Sequence, residues 1–330
     1  AGSFNIAVGS GTLGTEDGNG KNVAIGYQAL TALNAGTDAF NVAIGQEAGH
    51  DLTTGVQNTL IGGLAGDAMT DADYNVAVGS QALGDNTVGS QSVAIGYIAL
   101  TSQNPATATN MYNTAVGSQA GASVTTGTQN TYIGGLAGDA ATASVENVAV
   151  GYQALSADTL GSKSVAVGRM ALLSQNQTTA TDVYNVAVGH NAGQQVTTGI
   201  HNTILGGLAG DALTVGTSNV AVGKSALSAD TKGDTSVAIG ASALLSQNFT
   251  TATNSFNTAV GFEAGYGMTT GVQNTLIGAR AADAITDADR NVGVGYNALG
   301  INTVGSRSVA VGTAALSTQN PATATDMYNV

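Results

Sequence analysis

Internal repetition limits what this chain can fold into more than any other feature. A five-residue motif recurs along it: Asn or Ser, a β-branched residue, usually Ala, an aliphatic residue, then Gly. Complete copies start at Asn5, Asn22, Asn41, Asn58, Asn75, Ser92, Asn113, Asn130, Asn147, Ser164, Asn185, Asn202, Asn219, Ser236, Asn257, Asn274, Asn291 and Ser308. From Asn41 the spacings run 17, 17, 17 and 21 residues and then repeat, giving a 72-residue block. The array divides into a leading irregular segment, 1–40, four blocks of four coils over 41–328, and the start of a further repeat at 329–330.

Each motif is short, rich in β-branched residues and closed by Gly, which predicts a short strand ending in a turn. Helix is excluded because Gly recurs in every unit and no apolar stripe of helical period persists. Short strands at a fixed period predict an all-β fold, a parallel β-solenoid or β-roll of 17- and 21-residue coils. Each strand would pair with its equivalent one coil along, at about 4.8 Å, so the complete coils would build a rod of roughly 85 Å.

Side chains alternate along a strand, so the second and fourth motif residues share a face. The fourth is aliphatic in every complete copy, and Ile25, Ile44, Val78, Ile95, Val116 and Val188 are read as the structural core. The middle residue then points outward. It is Ala24, Ala43, Ala77, Ala94 and Ala115 where a solvated strand would carry Thr, Lys or Glu, so this column is read as an interchain contact. In the second coil of each block the middle residue is larger (Leu60, Tyr132, Ile204, Leu276), which requires more room there or a different neighbour. Asn at the head of so many motifs predicts a stacked amide ladder.

Composition narrows the function. Charged residues are 9% of the chain, Gly is 47 of 330 residues and Pro only 2, against 43% hydrophobic residues. That apolar share excludes disorder, and the scarcity of Pro excludes collagen. No run of about 20 apolar residues exists to cross a membrane as a helix, so no membrane insertion is expected. Eight basic against 21 acidic residues give a net charge of −13, which argues against a nucleic-acid partner. With no Cys there are no disulfides and no thiolate metal sites.

Outside the strands the coils differ by type. Second coils carry an Asp in register: Asp67, Asp139, Asp211 and Asp283. The preferred reading is a turn or backbone cap, since hard cations need several converging oxygens. No cofactor is expected; the one metal reading is a Ca2+ site formed by Asp67, Asp71 and Asp73 and its counterpart, Asp283, Asp287 and Asp289. Fourth coils contain the four extra residues and predict a protruding loop in every block. Its candidate surface-binding residues are Asn104 and Tyr112, Asn176 and Tyr184, Asn248 and Phe256, and Asn320 and Tyr328. Exposed aromatics can stack on sugars, but packing over the coil edge is favoured for them. His190 and His201 lie in one block with no fixed partner, and they and His50 read as surface residues. Nothing marks a catalytic site.

The segments Asn-Val-Ala-Ile-Gly-Tyr-Gln-Ala-Leu (22–30) and Asn-Thr-Ala-Val-Gly-Ser-Gln-Ala-Gly (113–121) resemble the repeats of trimeric fibre proteins. These are the head domains of YadA-type autotransporter adhesins, and phage tail-fibre shafts of the kind often followed by an endosialidase-type chaperone. The resemblance covers essentially the whole chain. It implies a homotrimer of β-rolls, an extracellular location on a virion tail or a bacterial surface, and a non-enzymatic role as a stiff attachment spacer. The alternatives are a receptor-binding module that grips a cell-surface glycan or protein through the long loops, or a solenoid polymerising end to end into a matrix filament. Ala1 reads as a mature or trimmed start, and the mid-motif ending at Val330 as a segment of a longer fibre.

Overall fold

The computed structural model describes residues 4–16 and 20–330, so the leading segment 1–40 is described except at 1–3 and 17–19. The chain is an all-β parallel solenoid, with no helix among the described residues. It comprises two compact units, Ala1–Lys163 with Gln177–Asp182, and Ser164–Asn176 with Val183–Val330.

In the first unit, nine three-residue strands from Ile6–Val8 to Val148–Val150 pair in parallel, each with its equivalent one coil along. The register is strict: Val23 lies beside Val42, Ala24 beside Ala43 and Ile25 beside Ile44. The second unit repeats this with nine strands from Val165–Val167 to Val309–Val311. The extra residues of the fourth coils form a rung of their own, as Thr109–Asn110 pairs with Gly89–Ser90 of the preceding coil.

Backbone hydrogen bonds continue round the turns. Gly26 N–H donates to Val8 at 2.8 Å and Gln28 N–H to Ser10 at 2.9 Å, whereas Leu30 N–H donates forward to Ala48 at 3.1 Å. Donors thus point back to the preceding coil just after the strand and forward to the next coil further round, and the coils are joined through their corners as well as their strands. The backbone accommodates this with left-handed residues outside the strand, such as Gln28 (φ 53°) and Leu30 (φ 50°).

The interior lies on the opposite face from the one read in the sequence. Ala24, Ala43, Ala77, Ala94 and Ala115 are wholly buried inside the coil and cannot form an interchain contact. Ile25, Ile44 and Ile95, taken as core, point outward and are 36%, 37% and 38% exposed. Val78, Val116 and Val188 lie on the same outer face, half-buried. The reason is volume. A coil this short encloses little space, and its middle is filled by two facing Ala columns, with Ala29, Ala48 and Ala65 opposite the strand and Leu30, Leu83 and Leu100 beside them. Alternation alone could not tell inside from outside, because both faces are apolar.

The larger middle residues are also interior, and the room for them comes from Gly. A Cβ at Gly49 would lie 2.7 Å from Leu60 Cδ1, and one at Gly121 would lie 2.9 Å from the Tyr132 ring. Third and fourth coils instead carry Leu at this place, as at Leu83 and Leu100. The motif Gly is required twice over. Gly45 has φ 143°, and a Cβ there would overlap the carbonyl of Gly62 in the next coil.

The amide ladder forms as expected and is buried. Asn58 N–H donates to Asn41 Oδ1 at 2.8 Å and Asn75 N–H to Asn58 Oδ1 at 2.9 Å. From Asn41 to Asn291 each Nδ2 reaches a carbonyl across the same coil, as from Asn41 to Gly55 at 2.8 Å, whereas the Nδ2 of Asn22 has no partner among the described residues. Where the motif begins with Ser, the hydroxyl is too short to continue the ladder, and the long loop supplies a substitute. Gln103 is fully buried, donates to Ser92 Oγ at 3.1 Å and accepts from Asn113 Nδ2 at 2.9 Å.

Candidate interaction face

From the residue before the motif to the residue after its Gly, side chains alternate out and in. Around the seventh motif, Met111, Asn113 and Ala115 are buried, whereas Tyr112, Thr114, Val116 and Ser118 face out. Each unit therefore presents four outward columns on its main sheet. The central two contain only Val, Ile, Leu and Thr in all eighteen motifs. These side chains suit a pleated surface, where in-register neighbours stack against each other.

The outer columns hold the large and charged residues. Before the motif stand Phe40, Tyr74, Tyr112, Tyr184 and Phe256, each about half exposed. After its Gly stand Tyr27, Tyr97, Tyr152, Phe262 and Tyr296, similarly exposed. Lys21, Lys163, Arg169, Lys224, Arg290 and Arg307 also lie in these columns, with Glu146 the one acid. Since the chain has 8 basic and 21 acidic residues, the four columns carry +5 and the rest of the chain −18. The acidic character belongs to the other faces, and the sheet face is apolar at its centre and basic at its edges.

The loop residues named from sequence are exposed. Asn104 and Asn248 each accept a hydrogen bond from a Thr of the preceding coil, Thr87 at 2.7 Å and Thr231 at 3.0 Å. Asn320 does the same from Thr303 at 2.7 Å, and Asn176 is exposed like its equivalents. Tyr112, Tyr184, Phe256 and Tyr328 stand half or more exposed, rather than packed over the coil edge. The loop is anchored on both sides, with Gln103, Pro105 and Met111 buried, a role that sequence reading missed. The Ser-for-Asn exchange at the start of every fourth coil was the signal that something else must complete the ladder.

The recurring Asp residues do not gather. Asp71 accepts from Thr54 Oγ1 at 2.6 Å and Asp73 from Val56 N–H at 2.8 Å, so both are turned to the preceding coil. Asp289 repeats this with Val272 at 2.8 Å, while Asp287 accepts from Thr286 Oγ1 at 3.2 Å. Half-burial pushes the carboxyls of Asp67, Asp211 and Asp283 up from the ordinary range. Among the described residues no cluster of three or more His, Asp or Glu side chains is placed to hold a metal. His50 pairs with Asp51 at 2.6 Å, and His201 stacks on Tyr184 with centroids 6.0 Å apart.

Compared with models of protein families and with curated proteins, the chain matches none.

Proposed function

We propose that this chain is a non-enzymatic shaft segment of an extracellular fibre, a phage tail fibre or a bacterial surface adhesin, in which copies associate as a homotrimer. The observation that carries the reading is the outward face: a sheet surface whose two central columns are aliphatic or Thr throughout and whose four columns hold one acid, Glu146, in a strongly acidic chain. Exposed apolar patches of this size mark interaction sites. Each unit offers eighteen aliphatic or Thr side chains at its centre. At ~50 Å² apiece they expose about 900 Å², comparable with the roughly 800 Å² per partner of a stable interface. The closed coils and continuous hydrogen-bond rungs support a mechanical role, since bending would strain several backbone bonds at every coil.

The test is the length of the assembled particle as whole blocks are added or removed. Each 72-residue block should change it by about 19 Å, four coils at the strand spacing. A length that does not follow block number would overturn the reading.

The exposed side chains of the long loops favour one second reading, a module that grips a glycan or protein receptor. Glycan binding that is lost on Tyr112→Ala, with assembly intact, would support it.

A further inference from the structure

The outer columns contain a feature that the single chain does not explain. Gly63, Gly135 and Gly207 recur in the second coils, in the column after the motif Gly, and Ala279 holds the place in the fourth block. None of the three has a positive φ. A Cβ at Gly63 or Gly207 would meet nothing closer than a carbonyl oxygen at 4.0 or 3.9 Å, and one at Gly135 would touch Tyr152 at an ordinary 3.6 Å. Neither backbone conformation nor packing within the chain requires a missing side chain, so each leaves a notch on the outward face.

On the opposite edge of that face, the residue before each first coil is a large exposed aromatic: Phe40, Tyr112, Tyr184 and Phe256. Knob and notch recur with the same 72-residue period. They cannot meet within one chain, because the two columns flank the strand on opposite edges of the face, six residue steps or up to about 20 Å apart.

We infer that neighbouring copies pack side by side and parallel, with the aromatic before each first coil of one copy seated in the second-coil notch of the next. This rests on the fibre reading and specifies how its copies dock. For these first-coil aromatics the alternative registers fit less well, although the forward shift also sets Tyr74 opposite Tyr97. With copies level, Tyr112 would face Ser118, Tyr184 would face His190, and Phe256 would face Phe262. With the opposite stagger, Tyr112 would face Tyr97 and Phe40 would face Tyr27. A forward shift of one coil places Phe40, Tyr112, Tyr184 and Phe256 over Gly63, Gly135, Gly207 and Ala279. The same shift brings Lys21 beside Gln46 and Glu47. Because knob and notch lie on different edges, the contact is heterologous. A one-coil offset between successive copies would accumulate around a ring, so it closes into a trimer only where each strand climbs by one coil, about 4.8 Å, between its two edges.

The test is cysteine cross-linking in the otherwise Cys-free chain, beside light scattering of the unmodified protein. Tyr112→Cys with Gly135→Cys should yield disulfide-linked oligomers under oxidising conditions, and neither single variant should. Gly135→Leu should abolish assembly while leaving the circular dichroism of the chain unchanged, since nothing within the chain occupies the notch. Assembly of the unmodified chain without this cross-link, or stronger linkage from Tyr112→Cys with Ser118→Cys, would overturn the docking but not the fibre. A wild-type chain that stays monomeric would remove both.

Discussion

The ring of Tyr132 fills the space above Gly138, where a Cβ would overlap it. Tyr132 is wholly buried, and burial pushes its hydroxyl up to about 12. The two residues belong to one coil and form a matched pair, with a large mid-strand side chain set against a missing one. The fourth block varies the pair, with Leu276 on the strand and Ala282 at the Gly position.

Gly138→Ala should therefore destabilise the chain by about 2–4 kcal/mol, from overpacking together with a left-handed backbone. In a Tyr132→Leu background, the pairing found at Leu276 and Ala282, the added cost should fall to about 1 kcal/mol. A double-mutant cycle by chemical denaturation checks this, and equal costs in both backgrounds would refute the pairing.

The period and coil length, the strand positions, the parallel register and the Asn ladder were all legible in the sequence, because each depends on local repetition. The direction of the faces was not. Ala24 and Ile25 give the same alternation whichever points inward, and the usual cue of a polar outer residue is missing where the outer surface is itself apolar. The clue was size. Where the strand residue grew, as at Leu60 and Tyr132, Gly appeared at residues 49, 66, 121 and 138, a compensation that only an interior position needs. The buried role of Gln103 was hidden because its partners, Ser92 and Asn113, belong to other segments of the coils.

The motif Gly should tolerate no side chain. Gly45→Ala would place a methyl against the Gly62 carbonyl at φ 143°, so a loss of about 3 kcal/mol or more is expected, read as a lowered thermal midpoint. Gly63→Ala is its control and should melt within about 0.5 kcal/mol of wild type.

Gln103→Ala should cost about 1–3 kcal/mol, since it leaves the Ser92 hydroxyl and one of the two N–H groups of the Asn113 side chain without a buried partner. Thr107→Ala, at an exposed position of the same loop, should be nearly silent. Thermal denaturation of the two variants compares them directly.

Asp230 is fully buried and accepts from Gly233 N–H at 2.9 Å and from Gln247 Nε2 at 2.6 Å. Burial pushes its carboxyl above the ordinary range. Its contribution to stability is then fullest below the ordinary carboxylate pKa and is lost as pH rises through the raised value. Of the equivalent residues, Asp158 is again Asp, whereas Asn86 and Asn302 carry no charge. Asp230→Asn should raise stability by about 1 kcal/mol near neutral pH and by much less in acid. Melting curves across that range check it, and a gain independent of pH would refute the cause.

The outward aliphatic face is proposed to join copies of the chain, while the Ala columns fill its interior. Light scattering coupled to size exclusion, with circular dichroism, on wild type, Ile44→Lys with Ile95→Lys, and Ala43→Leu tests it most directly. The expected outcome is an assembled wild type, a folded monomer for the lysine variant, and a disrupted fold for Ala43→Leu. A monomeric wild type, or a lysine variant that still assembles, would contradict it.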